Sequence, residues 1–409
     1  MENHSTDFKK LFLPLTCLLI LIGGASTLLH QLGSFILSFL IIEKINPISL
    51  KPWMELGSLL FFAIVILFLR NVSFKKIFRA ALLMTILLTI SSVFLFPNTS
   101  ASYFILTIFC SKVLFFLGWA YANQITTQVE GTKYYFALNF ITQWLLIPFA
   151  LIPTGLIFTW GTAHTSTPFL AGFTLLILGL VWLCDRWVSK RTTDKISPEN
   201  INPVSSSSKW LSMISLAGLA SGMTLISNLN QPSIKAYFIK LAPTANEFAA
   251  LTAHYLTIVG IGTFALSILS LLIGPRLLQS KGWKLTMLIA PAVGVVAILV
   301  TFINFLPFGF PSQRALLRAL SDSWIFPLIH VALLNYSQKD RFLIQAYVFL
   351  VFSPLLTNLT PGIPLAWGTK ILQVASFPIT ITSFAILGLM TACAWIVAKR
   401  QNSAISIIR

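Results

Sequence analysis

Stretches of roughly 20 uncharged, apolar residues recur about twelve times along the 409-residue chain, each long enough to cross about 30 Å of hydrocarbon as a helix. Irregular backbone cannot be satisfied against lipid, so such runs have one stable fate in a membrane. They read as transmembrane helices at 11–29 (with an apolar extension to 42), 53–69, 77–96, 103–122, 135–158 and 169–183, then at 210–229, 248–273, 285–305, 316–334, 342–359 and 371–397. Charged residues make up 10% of the chain, against about 25% in a soluble domain, so an ordinary soluble enzyme is excluded. The first run is at least twice as long as the apolar core of a secretory signal and lacks a prompt small-x-small site. Residues 1–10 are therefore expected to be a short polar tail.

The one long polar connection, 184–209, is basic and Ser-rich, with Arg186, Lys190, Arg191, Lys195 and the run Ser205 to Ser208. It divides the chain into an amino-terminal six-helix bundle at 1–183 and a carboxyl-terminal one at 210–398, followed by a short tail at 399–409. Such halving fits a two-bundle carrier with repeats about the membrane normal. A short basic hairpin follows the second run of each half: Arg70, Lys75, Lys76 and Arg79, then Arg276, Lys281 and Lys284. With the amino terminus inside, 20 Lys and Arg are counted with inner segments and 7 with outer ones, which leaves Lys112 within a run. The positive-inside rule then puts both termini in the cytoplasm. Most of the formal charge of +17 becomes a cytoplasmic skirt facing anionic lipid. A nucleic-acid partner would need a basic polar domain, and the chain has none.

An ionisable group at membrane depth is costly unless paired or wet, so each one marks a candidate site. Lys112 lies seven and eleven residues before Trp119 and Asn123, on one helical face. It reads either as a fixed cation in a water-filled path or as a side chain stretching to the headgroups. Arg314, Arg318 and Asp322 recur every four residues, with His330 eight further on. Two guanidinium forks a turn apart suit a phosphate or carboxylate, while an Arg318–Asp322 pair could simply stabilise the helix end. Glu130 and Glu247 sit at helix ends, where a carboxylate capping the dipole is the default. His30 with Gln31, the i, i+4 amides Asn139 and Gln143, and the stripe Thr224, Ser227, Asn228 and Gln231 add polar faces. These suggest a lined cavity, with interhelical hydrogen bonding as the plain alternative.

No phosphate-binding Gly-x-x-x-x-Gly-Lys-Ser/Thr loop occurs, and no His-Glu-x-x-His or Gly-x-Ser-x-Gly spacing. Four scattered cysteines make no metal pair. No cofactor is therefore expected, and gradient-driven movement of a solute is favoured over catalysis.

The stretch Trp119-Ala-Tyr-Ala-Asn-Gln-Ile-Thr126, followed by Glu130, Lys133, Tyr134 and Tyr135, closely resembles "WxFANxIT…EAKRFY" of the nucleotide transporters of intracellular bacteria and plastids, the ATP/ADP translocase family. Asn228-Leu229, Lys235, Leu241, Pro243 and Asn246-Glu247-Phe248 resemble its "NLxE…WK…LYPxPNEY" segment, and Gly282-Trp283 with Thr286 to Pro291 its "GW…ITP". The resemblance implies a twelve-helix, major-facilitator-like carrier in a bacterial inner membrane, exchanging nucleotides, commonly ATP for ADP, in an organism dependent on its host. It also implies functional carboxylates at Glu130 and Glu247. Three departures matter. Gly33 stands where the family has a Lys, His330 where it has a Glu, and Leu356 to Leu359 replace its "GKSG".

The expectation is thus an all-α polytopic membrane protein of about 12 helices in a 6+6 arrangement, a secondary carrier and not an enzyme. It would be monomeric and would take a small anionic solute, a nucleotide by the resemblance. The substrate would be held by Lys112, Glu130, Asn139, Gln143, Glu247, Arg314, Arg318, His30 and His330. Two alternatives stand beside it: a diverged carrier for a less charged solute, and a polytopic enzyme or membrane protein that transports nothing.

Overall fold

A computed structural model describes the backbone of residues 3–42, 74–95, 100–149, 163–192, 206–229, 245–300, 309–353 and 376–408, together with a few positions between them. Its regular elements are helical throughout. They are α1 (Asn3–Ile42), α2 (Phe74–Leu95), α3 (Ser100–Ile125), α4 (Gln128–Leu145), α5 (Ala163–Thr192), α6 (Ser206–Leu229), α7 (Ala245–Val300), α8 (Gly309–Leu320), α9 (Phe326–Leu333), α10 (Gln338–Ala346) and α11 (Ser376–Ile408). Two π-helical turns, Ser321–Ile325 and Tyr347–Phe352, continue α8 into α9 and follow α10.

Among the described residues, seven helical segments are long and apolar enough to cross a membrane: Phe12–Gly33, Leu106–Ile125, Thr167–Ser189, Lys209–Ser227, Ile261–Leu299, Leu316–Leu333 and Thr380–Gln401. The protein is a multi-pass membrane protein. The 39-residue segment covers parts of two of the expected runs, 248–273 and 285–305, because α7 bends at Gly282 (φ 77°, ψ −174°). That positive φ is a conformation only glycine adopts without strain. The run at 53–69 lies outside the described residues. Helix α5 continues past the expected run to Thr192, so residues 184–192 are helical rather than loop.

By packing, the chain forms two compact units, residues 1–126 with 141–200, and 127–140 with 201–409. In the first, α1 packs on α3 and α5, and α2 on the same two helices. The seam of α1 is Leu15, Leu18, Ile22, Ala25, Leu29 and Leu32, alternating three and four residues apart and almost wholly buried. This spacing keeps one stripe facing its neighbours along the whole helix.

A polar knot ties the ends of α2, α3 and α5. Asp185 is completely buried and meets the Arg79 guanidinium at 2.9 Å. Its other oxygen accepts from Tyr121 Oη at 3.1 Å and Ser189 Oγ at 3.4 Å. Phe78 packs edge-on to the Tyr121 ring at 5.3 Å, closing the apolar side. A buried carboxylate is stable only with such partners.

In the second unit α6 packs against α8 and α11, and α7 against α8 and α11. Its α9–α10 turn is held by Arg341, which donates through Nε to Tyr336 O and through its terminal nitrogen to Leu334 O, both at 2.6 Å. These carbonyls have no partner within the helix they end, so a buried guanidinium serves as cap. Lys209 pairs with Asp340 at 3.0 Å, and Arg400 bonds Ser212. Burial raises the Tyr336 phenol above its ordinary range, which keeps it a hydrogen-bond donor at neutral pH.

Asp185→Ala removes the carboxylate that pairs with Arg79 and accepts from Tyr121 and Ser189, leaving those two hydroxyls only each other at 3.4 Å, at a cost of about 1–3 kcal/mol. The expected result is a lower melting temperature of the purified protein in detergent. A wild-type melting curve would show that the knot does not hold these helices.

Candidate functional site

The residues singled out in the sequence fall partly in each unit, and each group is described by itself. In the first unit, Ser26 of α1 and Ser111 of α3 bond reciprocally: Ser26 Oγ donates to Ser111 O at 2.9 Å and Ser111 Oγ to Ser26 O at 2.8 Å. That double link between two apolar helices puts Lys112 and His30, one turn along α1, within electrostatic reach of each other. His30 is exposed and Lys112 half-buried, whereas Trp119 and Asn123, on the Lys112 face, are buried. Gln143 is half-buried at the carboxyl end of α4, in the part of that helix belonging to this unit.

The close approach of α1 and α3 also accounts for a departure from the family pattern. At Gly33, a Cβ atom would lie 2.7 Å from Ile108 Cδ1 and 2.9 Å from Thr107 Oγ1. The position where the family carries a Lys is filled by the neighbouring helix.

In the second unit, the π-helical turn Ser321–Ile325 gathers polar groups. Widening the helix by one residue releases the regular backbone pairing, and side chains from other helices meet it. Asn139 Nδ2 donates to Asp322 O at 2.9 Å, Ser267 and Ser323 hydroxyls meet at 2.9 Å, and Trp324 Nε1 donates to Thr286 O at 3.0 Å. Phe136, one turn before Asn139, sits edge-on to Trp324 at 6.0 Å. Arg318 lies 3.9 Å from Asp322 through Nε, beyond hydrogen-bond distance, with its side chain 67% exposed. An exposed pair this loose contributes little stability.

Two other candidates sit in structural settings. Glu130 Oε2 accepts from the Thr127 backbone N and from Thr127 Oγ1, both at 2.9 Å, and Thr127 Oγ1 in turn accepts from Glu130 N at 3.4 Å. This is a reciprocal capping box at the start of α4. His330 is buried, stacked on Phe349 at 5.4 Å and edge-on to Phe326 at 4.5 Å. Glu247 lies in α7 and Arg314 in α8; the side chains of both, and the stretch with Lys235 and Lys240, lie outside the description. Among the described residues no three His, Cys, Asp or Glu gather as a metal site.

Asp185, Arg341 and the two π-helical turns were not foreseen. Asp185 is the first of three acids in the basic stretch 184–209, and its position one helical turn before Ser189, between Trp182 and Trp187, is the trace of an inward face.

With this geometry in hand, comparison with known proteins is informative. The family model of the TLC ATP/ADP transporters matches residues 181–339, a continuous segment under half of the chain. Over that segment the chain is similar to this family. No curated protein gives a significant sequence match. Among solved structures, a bacterial homologue of the iron transporter ferroportin in an outward-facing state is 13% identical, with a TM-score of 0.65 over 94% of this chain and 99% of that one. The E. coli fucose:proton symporter FucP is 15% identical, TM-score 0.59, over 95% and 97%. The major facilitator superfamily proton:xylose symporter XylE, bound to 6-bromo-6-deoxy-D-glucose, is 12% identical, TM-score 0.60, over 95% of both. At such identities the likeness is one of fold, and the fold is that of major facilitator transporters.

Two outcomes follow from the geometry. Thr127→Ala or Glu130→Ala should each lower stability by about 1 kcal/mol in thermal unfolding, as loss of a helix cap does. Transport at saturating solute should be unchanged; a loss with normal melting would assign Glu130 a role in transport. Gly33→Lys, which restores the family cation, should destabilise by about 1–3 kcal/mol through overpacking. A melting temperature at or above wild type would show that α3 yields there.

Proposed function

We propose that the protein is a secondary transporter that moves a nucleotide or a related anionic metabolite by exchange or ion-coupled alternating access. The observation that carries this reading is the nucleotide-transporter family match over residues 181–339 on a chain with a major facilitator fold. That matched segment includes Arg314 and Arg318, the guanidinium pair spaced one helical turn apart. Planar guanidinium groups bind two oxygens of a phosphate at once, and in a low-dielectric path they are worth more than in water. Lys112 adds a second cationic level in the first unit. We infer twelve membrane helices in a 6+6 arrangement with bundles at 1–183 and 210–398, both termini in the cytoplasm, and a monomer in a bacterial inner membrane. No catalytic step is assigned to it.

A specific observation favours a second reading. The site of one family cation is packed shut at Gly33, and each phosphate carried needs a compensating donor. A solute with fewer charges than a nucleoside triphosphate, such as a monophosphate or a dinucleotide, fits a chain with fewer fixed cations.

The test is uptake and counterflow of labelled nucleotides in vesicles containing the purified protein. ATP, ADP and AMP, a dinucleotide, a nucleoside and inorganic phosphate would serve as competitors. Uptake is expected to fall at least tenfold in Arg318→Ala and in Arg314→Ala at equal membrane abundance. Wild-type rates in both variants would remove these residues from the mechanism. Competition by nucleosides but not by phosphorylated compounds would replace the anion reading with that of a neutral solute.

A further inference from the structure

The outer face of α5 ends in an unusual arrangement. Trp182 is exposed, and one turn later the Arg186 guanidinium carbon lies 3.8 Å from the centre of its ring. The membrane-crossing part of the helix, Thr167–Ser189, ends three residues beyond Arg186, which puts the pair at the rim of the hydrocarbon. Tryptophan at that level is anchored with its ring in apolar surroundings and its edge among headgroups. Trp187, beside the pair, is also exposed. The acid that could neutralise Arg186 locally, its neighbour Asp185, is turned inward and held by Arg79. The outward side of the helix end is therefore cationic, and the next basic residues of α5 are Lys190 and Arg191.

Below this rim the same face is apolar and notched. Gly172, Leu176, Gly179, Leu183 and Arg186 follow one another at three or four residues, forming one stripe of the helix. A Cβ at Gly172 or Gly179 would meet nothing within 4 Å. Around Gly172 the surface forms an open apolar concavity lined by Pro168, Phe169, Phe173 and Leu176. From Leu176, at the near edge of the concavity, to Arg186 the helix rises about 15 Å, the hydrocarbon depth of one leaflet, so an extended acyl chain from a headgroup at Arg186 reaches it. A cation stacked on tryptophan recurs at the end of the last helix of the second unit, where Lys399 lies 5.3 Å from the Trp395 ring and Trp395 is exposed.

We propose that this face of α5 is a binding site for an acidic phospholipid, with the headgroup phosphate on Arg186 over Trp182 and an acyl chain along Gly179 and Gly172 into the concavity. Stacking on the indole fixes the guanidinium plane while its edge N–H groups remain directed to a phosphate. A zwitterionic lipid offers the same chain but no net charge to match the cationic rim. An acidic headgroup is therefore preferred.

Native mass spectrometry of the full chain, purified with mixed phosphatidylglycerol and phosphatidylcholine, tests this. The wild type should retain phosphatidylglycerol in preference. Arg186→Gln and Trp182→Leu should each lower that occupancy at least fivefold while phosphatidylcholine retention and the melting temperature stay unchanged. Gly172→Leu, which fills the concavity and leaves the charge, should reduce retention of both lipids. Inorganic phosphate at matched concentration should displace neither. Unchanged phosphatidylglycerol occupancy in Arg186→Gln and Gly172→Leu overturns the proposal, as does a dimer that Gly172→Leu abolishes, since a second copy of the chain would then occupy the face.

Discussion

Everything in this molecule answers to a solvent that offers no hydrogen bonds. In hydrocarbon a backbone or hydroxyl group without a partner costs several kcal/mol, and helices are the structure that satisfies the backbone within one segment. The hydroxyls follow the same rule at close range. Thr16, Thr27, Thr85, Thr89, Thr174, Ser215, Thr286 and Thr391 each donate to the carbonyl four residues back, at 2.7–2.9 Å. A hydroxyl satisfied in this way is chemically quiet. A polar stripe read from the sequence is therefore weak evidence for a wet cavity. Groups that reach to another helix, such as Asn139 at the Asp322 carbonyl, say more about tertiary structure.

The same constraint explains what the residue order disclosed. The length of an apolar run and the charge of its flanks are set by the bilayer, so the seven membrane-crossing segments among the described residues were legible. So was the division of the second α7 run from the first, marked by the basic hairpin and Gly282. The Arg318–Asp322 spacing and the capping position of Glu130 were legible for a local reason: both partners lie within four residues. The knot at Asp185 was not, because Arg79 and Tyr121 are 106 and 64 residues away and leave no periodic mark. The π-helical turn at 321–325 was invisible for the same reason. It is stabilised by Asn139, Ser267 and Thr286 from other helices, and not by any residue type peculiar to a widened helix.

The candidate site shows how packing edits chemistry. The family pattern asks for a Lys near the end of the first span, but α1 and α3 are drawn together by the Ser26–Ser111 bonds and by glycine at 33. Small residues let two helices touch, and that contact takes the space a long cation needs. At this position helix contact occupies the space that the family pattern gives to a fixed charge. The charge nearby is Lys112, one residue after Ser111, on the opposite helix of the same pair. A cation there is anchored by the contact that excluded the first.

Under the proposed function, how each charge is held bears on which solutes the protein accepts. Arg318 is exposed and only loosely paired to Asp322, whereas Asp185 and Arg341, equally charged, are locked by two or more short hydrogen bonds each. Locked charges hold helix ends, and their electrostatics are spent inside the protein. A loosely held charge keeps its field for a partner that arrives later, provided water or a solute can reach it. Among the described residues, the distinction separates these ionisable groups into two classes by geometry alone. Asp185, Arg79, Arg341 and Asp340 belong to the scaffold, and under the proposed function recognition of a negatively charged solute falls to loosely paired cations such as Arg318. A solute whose charge exceeds what those few cations can balance would enter at the full desolvation cost of its surplus phosphates, so the number of such cations limits the charge of the solute.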